Sequence, residues 1–148
     1  MTRMIFVNLP VTDVARATAF YEAIGFTKNE AFSNEQASGM VWSDAIQVML
    51  LDHTFYATFT DKRIIDARTQ SGVLLCLTFD SRATVDDIHR RAREAGGHDT
   101  RQVEDQGFMY GGAFDDPDGH GWETVWMDPA ATRDGPPDMQ DAGGRHAG

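Results

Sequence analysis

Glu123 is the residue whose type and setting most suggest chemistry. It lies in DDPDGHGWETVWMD, residues 115–128, where Pro117, Asp118 and Gly119 are turn formers. Beyond the turn Trp122, Thr124 and Trp126 alternate with Glu123, Val125 and Met127, the period of a strand, so one face reads Glu, Val, Met. A charge on a mostly apolar face is either a partnered structural ion or part of a site. As a site, the carboxyl can act as general acid or base, or bind a polar atom of a ligand. As a structural ion, it would pair with an arginine such as Arg3 or Arg63.

Other chemistry-bearing residues give weaker signals. The single cysteine, Cys76, stands between Leu75 and Leu77 with no base nearby, the setting of an inert thiol. His53, His89, His98, His120 and His146 fall at strand ends, on an exposed helix face, in turns or in the tail, without the paired spacing of metal ligands. Asn8 and Gln47 are polar residues on otherwise apolar strands, suited either to ligand hydrogen bonding or to an edge. Trp42, Tyr110 and Trp122 could line a pocket for a flat ligand, or serve the core or a dimer contact. Gly111 and Gly112 lack the lysine and spacing of a phosphate loop and are expected to permit a close approach or a bulge.

The elements that must position these residues fall into two similar halves. The run MIFVNL reads as a strand closed by Pro10, and Asp13 can cap a helix in which Val14, Ala17, Tyr21 and Ile24 share a face and Gly25 provides the stop. GFTKNEAFS, GMVWSD and IQVMLLD follow as three antiparallel strands. VLLCLTFD restarts the pattern, and Ser81 or Thr84 can cap a helix presenting Val85, Ile88, Ala92 and Ala95 before Gly96 and Gly97. DTRQVED, a weak strand because it is so polar, then precedes GFMYGGAFDD and HGWETVWMD. The offset between halves far exceeds solenoid periods, which indicates a duplicated strand-helix-three-strand module.

The chain has 148 residues, 41% of them hydrophobic, enough for one domain with a core. Its formal net charge of -10 disfavours nucleic acid and anionic membranes as partners. A lone cysteine precludes an intrachain disulfide, and no run approaches membrane-spanning length, so a soluble cytoplasmic protein is expected. One domain is assigned to residues 1–128, with module one at 4–53, a connector at 54–72 and module two at 73–128. Phe55, Tyr56 and Phe59 make the connector either a cover over a pocket or a plug on the core edge. Residues 129–148 contain few apolar side chains and are expected to form a flexible, dispensable tail.

LPVTDVARATAFYEAIGF and DPDGHGWE, with MVWSDAIQVMLL and LLCLTFDS between them, resemble the vicinal oxygen chelate superfamily, the glyoxalase, bleomycin-resistance and extradiol dioxygenase group. The resemblance covers about residues 4 to 128. It implies an α+β fold of two βαβββ modules whose mixed sheets cup a cavity, and a homodimer. In metal-using relatives four inward side chains on the first and fourth strands of the modules hold a divalent ion that stabilises an oxyanion.

By this resemblance, the corresponding positions here are Phe6, Met49, Leu74 and Glu123. Three apolar groups and one carboxylate cannot hold a hard cation, so no cofactor is expected. Asn8, Gln47 and Cys76, one layer away on the same faces, leave open a divalent ion at an atypical site. The substrate-binding set is then Phe6, Asn8, Trp42, Gln47, Met49, Leu74, Cys76 and Tyr110, with Glu123 as the catalytic candidate. In a cavity made greasy by Phe6, Met49 and Leu74, Glu123 is expected to have a pKa raised by desolvation. The first reading is a binder of a small organic molecule, favouring a cationic one. The alternative is a glyoxalase-like lyase or isomerase with Glu123 as base.

Overall fold

The computed structural model describes residues 2–137 of the chain. Module one contains β1 (Ile5–Val11), α1 (Val14–Ala23), β2 (Thr27–Asn29), β3 (Ala37–Val41) and β4 (Ile46–Asp52). Module two contains β5 (Leu74–Thr78), α3 (Arg82–Glu94), β6 (His98–Asp105), β7 (Met109–Asp115) and β8 (Gly121–Met127), with the short α2 (His53–Tyr56) between the modules. The sheets have the orders β1-β4-β3-β2 and β5-β8-β7-β6, in which only the first pair is parallel. The duplication is therefore structural: each module folds as βαβββ.

The helix signals act as expected. Asp13 accepts a hydrogen bond from the Arg16 amide and Ser81 from the Thr84 amide, each satisfying a free donor of the first helical turn. Gly25 and Gly96 carry the positive φ that turns the chain away. The strands differ more. GFTKNEAFS supplies only the three residues of β2 before a 3-10 turn at Glu30–Phe32, where Asn29 accepts from the Ala31 amide and draws the backbone out of the ladder. β3 ends at Val41, so Trp42 lies beyond it. The polar β6 does form, with register shifts between Asp99 and Glu104.

Strand alternation sorts each sheet into a covered and an open face. Leu9, Val11, Val48 and Leu50 of the first sheet are buried with α1, while Leu77, Phe114, Trp122 and Thr124 are buried on the second. The two covered faces share a single core in which Tyr21, Phe26 and Trp122 meet edge to face, with ring centroids 5.3 to 5.9 Å apart. A polar seam completes this contact. Trp122 Nε1 donates to Tyr21 Oη at 2.9 Å and Tyr21 donates to Asp116 Oδ2 at 2.6 Å. Thr12 donates twice to Asp118, and His120 Nε2 donates to the Pro10 carbonyl at 2.6 Å.

One further expectation is corrected. His89 is not on an exposed helix face: it is 2% exposed, with Nδ1 3.1 Å from Asp99 and Nε2 2.8 Å from Thr124, because α3 turns it toward the sheet beside Phe114. The expected tail begins with a short helix. Asp128 caps the helix α4 (Pro129–Asp134) and Ala131 is buried, so capping and one small apolar contact suffice where long apolar side chains are lacking. Residues 138–148 of the expected tail lie outside the described residues.

Candidate functional site

Register places Cys76, Glu123, Ala113 and Arg101 in one row across the open face of the second sheet. Glu123 and Arg101 are two strands apart. The methyl group of Ala113 between them is small enough for the arginine to lie across it, and Arg101 Nη2 reaches Glu123 Oε2 at 3.2 Å. The same nitrogen is 3.4 Å from the Gly112 carbonyl. The next row is Thr78, Val125, Gly111 and Glu104. These rows border a cavity of about 270 Å³ with acidic and basic groups at one side and Met109, Val125 and Met127 at the other.

This arrangement corrects the expected environment of Glu123. Its partner is Arg101, not Arg3 or Arg63, and its side chain remains 35% exposed. The premise of an acid sealed among apolar groups without a cation does not hold, since the cavity wall is polar beside it. Cys76, adjacent to Glu123, has a thiol pushed up by partial burial and by the Glu123 charge, which Arg101 opposes. It is thereby kept in the less nucleophilic form.

The remaining sequence candidates divide among several places. Phe6, Asn8, Gln47 and Met49 lie on the open face of the first sheet, with Phe6 opposite Gln47 and Asn8 opposite Met49. Leu74 lies opposite Gly121, one row from Glu123, so the diagonal of Leu74 and Glu123 repeats that of Phe6 and Met49. Asn8 and Leu74 line a separate cavity beneath the connector, whereas Phe6, Gln47 and Met49 line neither of these cavities. Trp42 packs with Phe26 and Phe79 at the edge of the shared core. Tyr110 is on the helix side of β7, where it donates to Asp86 Oδ1 at 2.6 Å, so strand alternation turns it away from Glu123.

Sequence reasoning missed Arg101 and Glu104. The alternation that exposed Glu123 could not find them, because the irregularities in β6 break its period, and only strand pairing sets them beside β8. A divalent ion does not fit the four corresponding positions, which offer a single oxygen donor group. Among the described residues no three His, Cys, Asp or Glu side chains are gathered so as to hold a metal ion.

Paired βαβββ modules with cupped open faces define the class of fold. Residues 3–124 match the Glyoxalase/Bleomycin resistance protein/Dioxygenase superfamily, and the chain belongs to it. No curated protein matches its sequence. Among solved structures it is similar to hypothetical protein SA1046 from S. aureus, with a TM-score of 0.73 and 23% identity over 86% of this chain and 95% of that one. A glyoxalase/bleomycin resistance protein/dioxygenase family enzyme from Burkholderia phytofirmans PsJN gives 0.71 and 19%, over 86% and 100%. A bleomycin resistance determinant encoded on the transposon Tn5 gives 0.60 and 23%, over 86% and 99%. At these identities the likeness is one of fold.

Proposed function

We propose that the protein binds a small organic molecule bearing a cationic group on the open face of the second sheet, in a site that a second copy of the chain completes. The observation that carries this reading is the charged row itself. Glu123 and Glu104 face one cavity with Arg101 as the only cation among its described lining residues, next to methionine and valine side chains that suit an apolar body. Arg101 engages Glu123 Oε2, which leaves Glu104 to meet a ligand cation.

The case for a second copy rests on the edges. β1 and β5 are both edge strands, and Ile5, Phe6, Val73 and Leu74 on or beside them are about half exposed, a large apolar area to leave in water. Pairing module one of one copy with module two of another would bring Phe6, Asn8, Gln47 and Met49 opposite Glu123. No metal step enters this reading, because three of the four corresponding positions are hydrocarbon or thioether. In the alternative, an isomerase or lyase, Oε1 of Glu123 serves as base while Arg101 holds Oε2.

Thermal denaturation with matched cationic, neutral and anionic aromatic compounds tests the proposal. The cationic member should raise the midpoint most, and Glu104→Gln should remove that advantage. Equal stabilisation by the neutral compound, or a Glu104→Gln protein that responds unchanged, refutes it. Turnover of an α-ketoaldehyde thiol adduct that Glu123→Gln abolishes would favour the enzyme instead.

A further inference from the structure

A larger cavity lies beneath the connector, over the row of Leu74, Gly121 and Asp115 next to the charged row, and it touches the charged row only at Ala113. It measures about 640 Å³, within the range of pockets that enclose small organic ligands. Its floor is formed by Asn8 and Pro10 of β1, Leu74 of β5, Ala113 and Asp115 of β7 and Gly121 of β8, and its roof by the connector from Lys62 to Gly72. The roof is built rather than loose. The Asp66 carbonyl accepts from the Thr69 and Gln70 amides, Asp66 Oδ1 accepts from the Arg68 amide, and Gln70 Oε1 accepts from the Asp66 amide. The roof is also seated closely on the β7–β8 turn: a Cβ at Gly119 would lie 2.6 Å from the Ala67 carbonyl carbon and from the Arg68 amide nitrogen. Glycine there admits the connector.

The charge of this cavity is opposite to that of the chain. Lys62, Arg63 and Arg68 line it, and none has a carboxylate within ion-pair distance among the described residues. Among the described residues Asp115 is the only acid in the lining, and its burial pushes its carboxyl up, against the opposing charges of His98 and His120. The net charge of -10 does not decide what enters, because exposed charges more than about 8 to 10 Å away are largely screened at physiological salt. Local groups decide it, and here three cations without an ion-pair partner outnumber one carboxyl.

We infer that the connector cavity is a second ligand site, beside the Glu123 row and not on it, that takes an amphipathic organic anion: an apolar ring or chain against Ile65, Val73 and Leu74, with its carboxylate held by the basic connector. Three probes with one ring system test this by isothermal titration: 1-naphthoate, neutral 1-naphthamide and cationic 1-naphthylmethylammonium. Naphthoate should bind at least tenfold more tightly than the amide, with an affinity that falls as salt rises. The exposed side chains allow Lys62→Gln, Arg63→Gln and Arg68→Gln to be combined without disturbing the core, and this triple variant should bind naphthoate no better than the amide. Equal affinity for acid and amide in the unaltered protein overturns the inference, as does a triple variant that retains naphthoate. Loss of naphthoate on Arg101→Gln instead would place the anion at the charged row and also overturn it. Response to the ammonium probe in Glu104→Gln reports separately on the first site, so either site can fail alone.

Discussion

Replacing Tyr21 with phenylalanine removes one oxygen from the seam between the modules and leaves the ring packing in place. That oxygen has two partners, both buried: it accepts from Trp122 Nε1 at 2.9 Å and donates to Asp116 Oδ2 at 2.6 Å. Loss of a hydrogen bond to a charged group costs about 1.5–3 kcal/mol, and a buried indole N–H left without an acceptor about 1–3 kcal/mol more. Partial relaxation brings the expected total to about 3 kcal/mol, a fall in Tm of about 6–12 °C for a domain of this size. Burial, with the Asp116 charge next, pushes the Tyr21 hydroxyl well above its ordinary value, so it remains a donor at any working pH. Burial likewise raises the Asp116 carboxyl, against the His120 charge and the Tyr21 hydrogen bond, both of which lower it. The native state therefore holds the Asp116 proton more firmly than the unfolded chain, and stability falls as pH rises from the ordinary aspartate value of about 4 through the raised one. Without the tyrosine hydroxyl the carboxyl rises further, so the deficit of the variant should be smallest in acid and grow toward neutrality. Urea denaturation of both proteins from pH 3.5 to 7.5 measures this. A deficit below about 1 kcal/mol, or one that does not change with pH, would refute the idea that this seam joins the modules.

Three other outcomes are expected. Cys76, the only cysteine, should be alkylated slowly by iodoacetamide near neutral pH, faster in Glu123→Gln and more slowly in Arg101→Gln, as read from a single mass shift; reversed rates would contradict the charged row. Gly111→Ala should cost about 3 kcal/mol or more, because the new methyl falls on the Thr124 carbonyl oxygen, whereas Gly107→Ala, with open space around it, should cost about 1 kcal/mol, and equal urea midpoints would be inconsistent with this packing. Burial raises the Asp99 carboxyl, but hydrogen bonds from His89 and Arg93 outweigh it and lower the group overall. Its stabilisation is present above the ordinary aspartate value and lost as pH falls through the lowered one, so Asp99→Asn should cost about 1 kcal/mol at pH 7 and almost nothing near pH 2 in thermal melts.

The parts of the fold legible in the sequence were those encoded by local rules. Asp13 and Ser81 announce their helices through a side-chain oxygen three residues before a free amide, and Gly25 and Gly96 through a backbone conformation other residues resist. The alternation in HGWETVWMD placed Glu123 opposite Trp122 and Thr124, and the structure keeps those two on the covered side. Long-range facts were not legible. Arg101 reaches Glu123 only because β6 and β8 flank β7, and His89 is buried only because α3 presents it to Thr124 and Asp99. Tyr110 was grouped with the pocket, yet it lies one residue out of phase with Gly111 and so points to the helix side.

The same alternation explains why the superfamily is easier to recognise here than the ligand. In DPDGHGWE, Asp116 accepts from Tyr21, Asp118 from Thr12, His120 donates to Pro10 and Trp122 to Tyr21, so nearly every side chain of the motif is committed to holding module two against module one. Glu123 is the exception, on the other face of the strand. Substitution on the open face leaves the seam untouched, since neighbouring side chains of a strand do not share an environment. A chain can therefore vary residues such as Phe6, Met49 and Leu74 on its open faces and still join its modules in the same way. The motif then reports on the seam, and the ligand must be sought in the rows that face away from it.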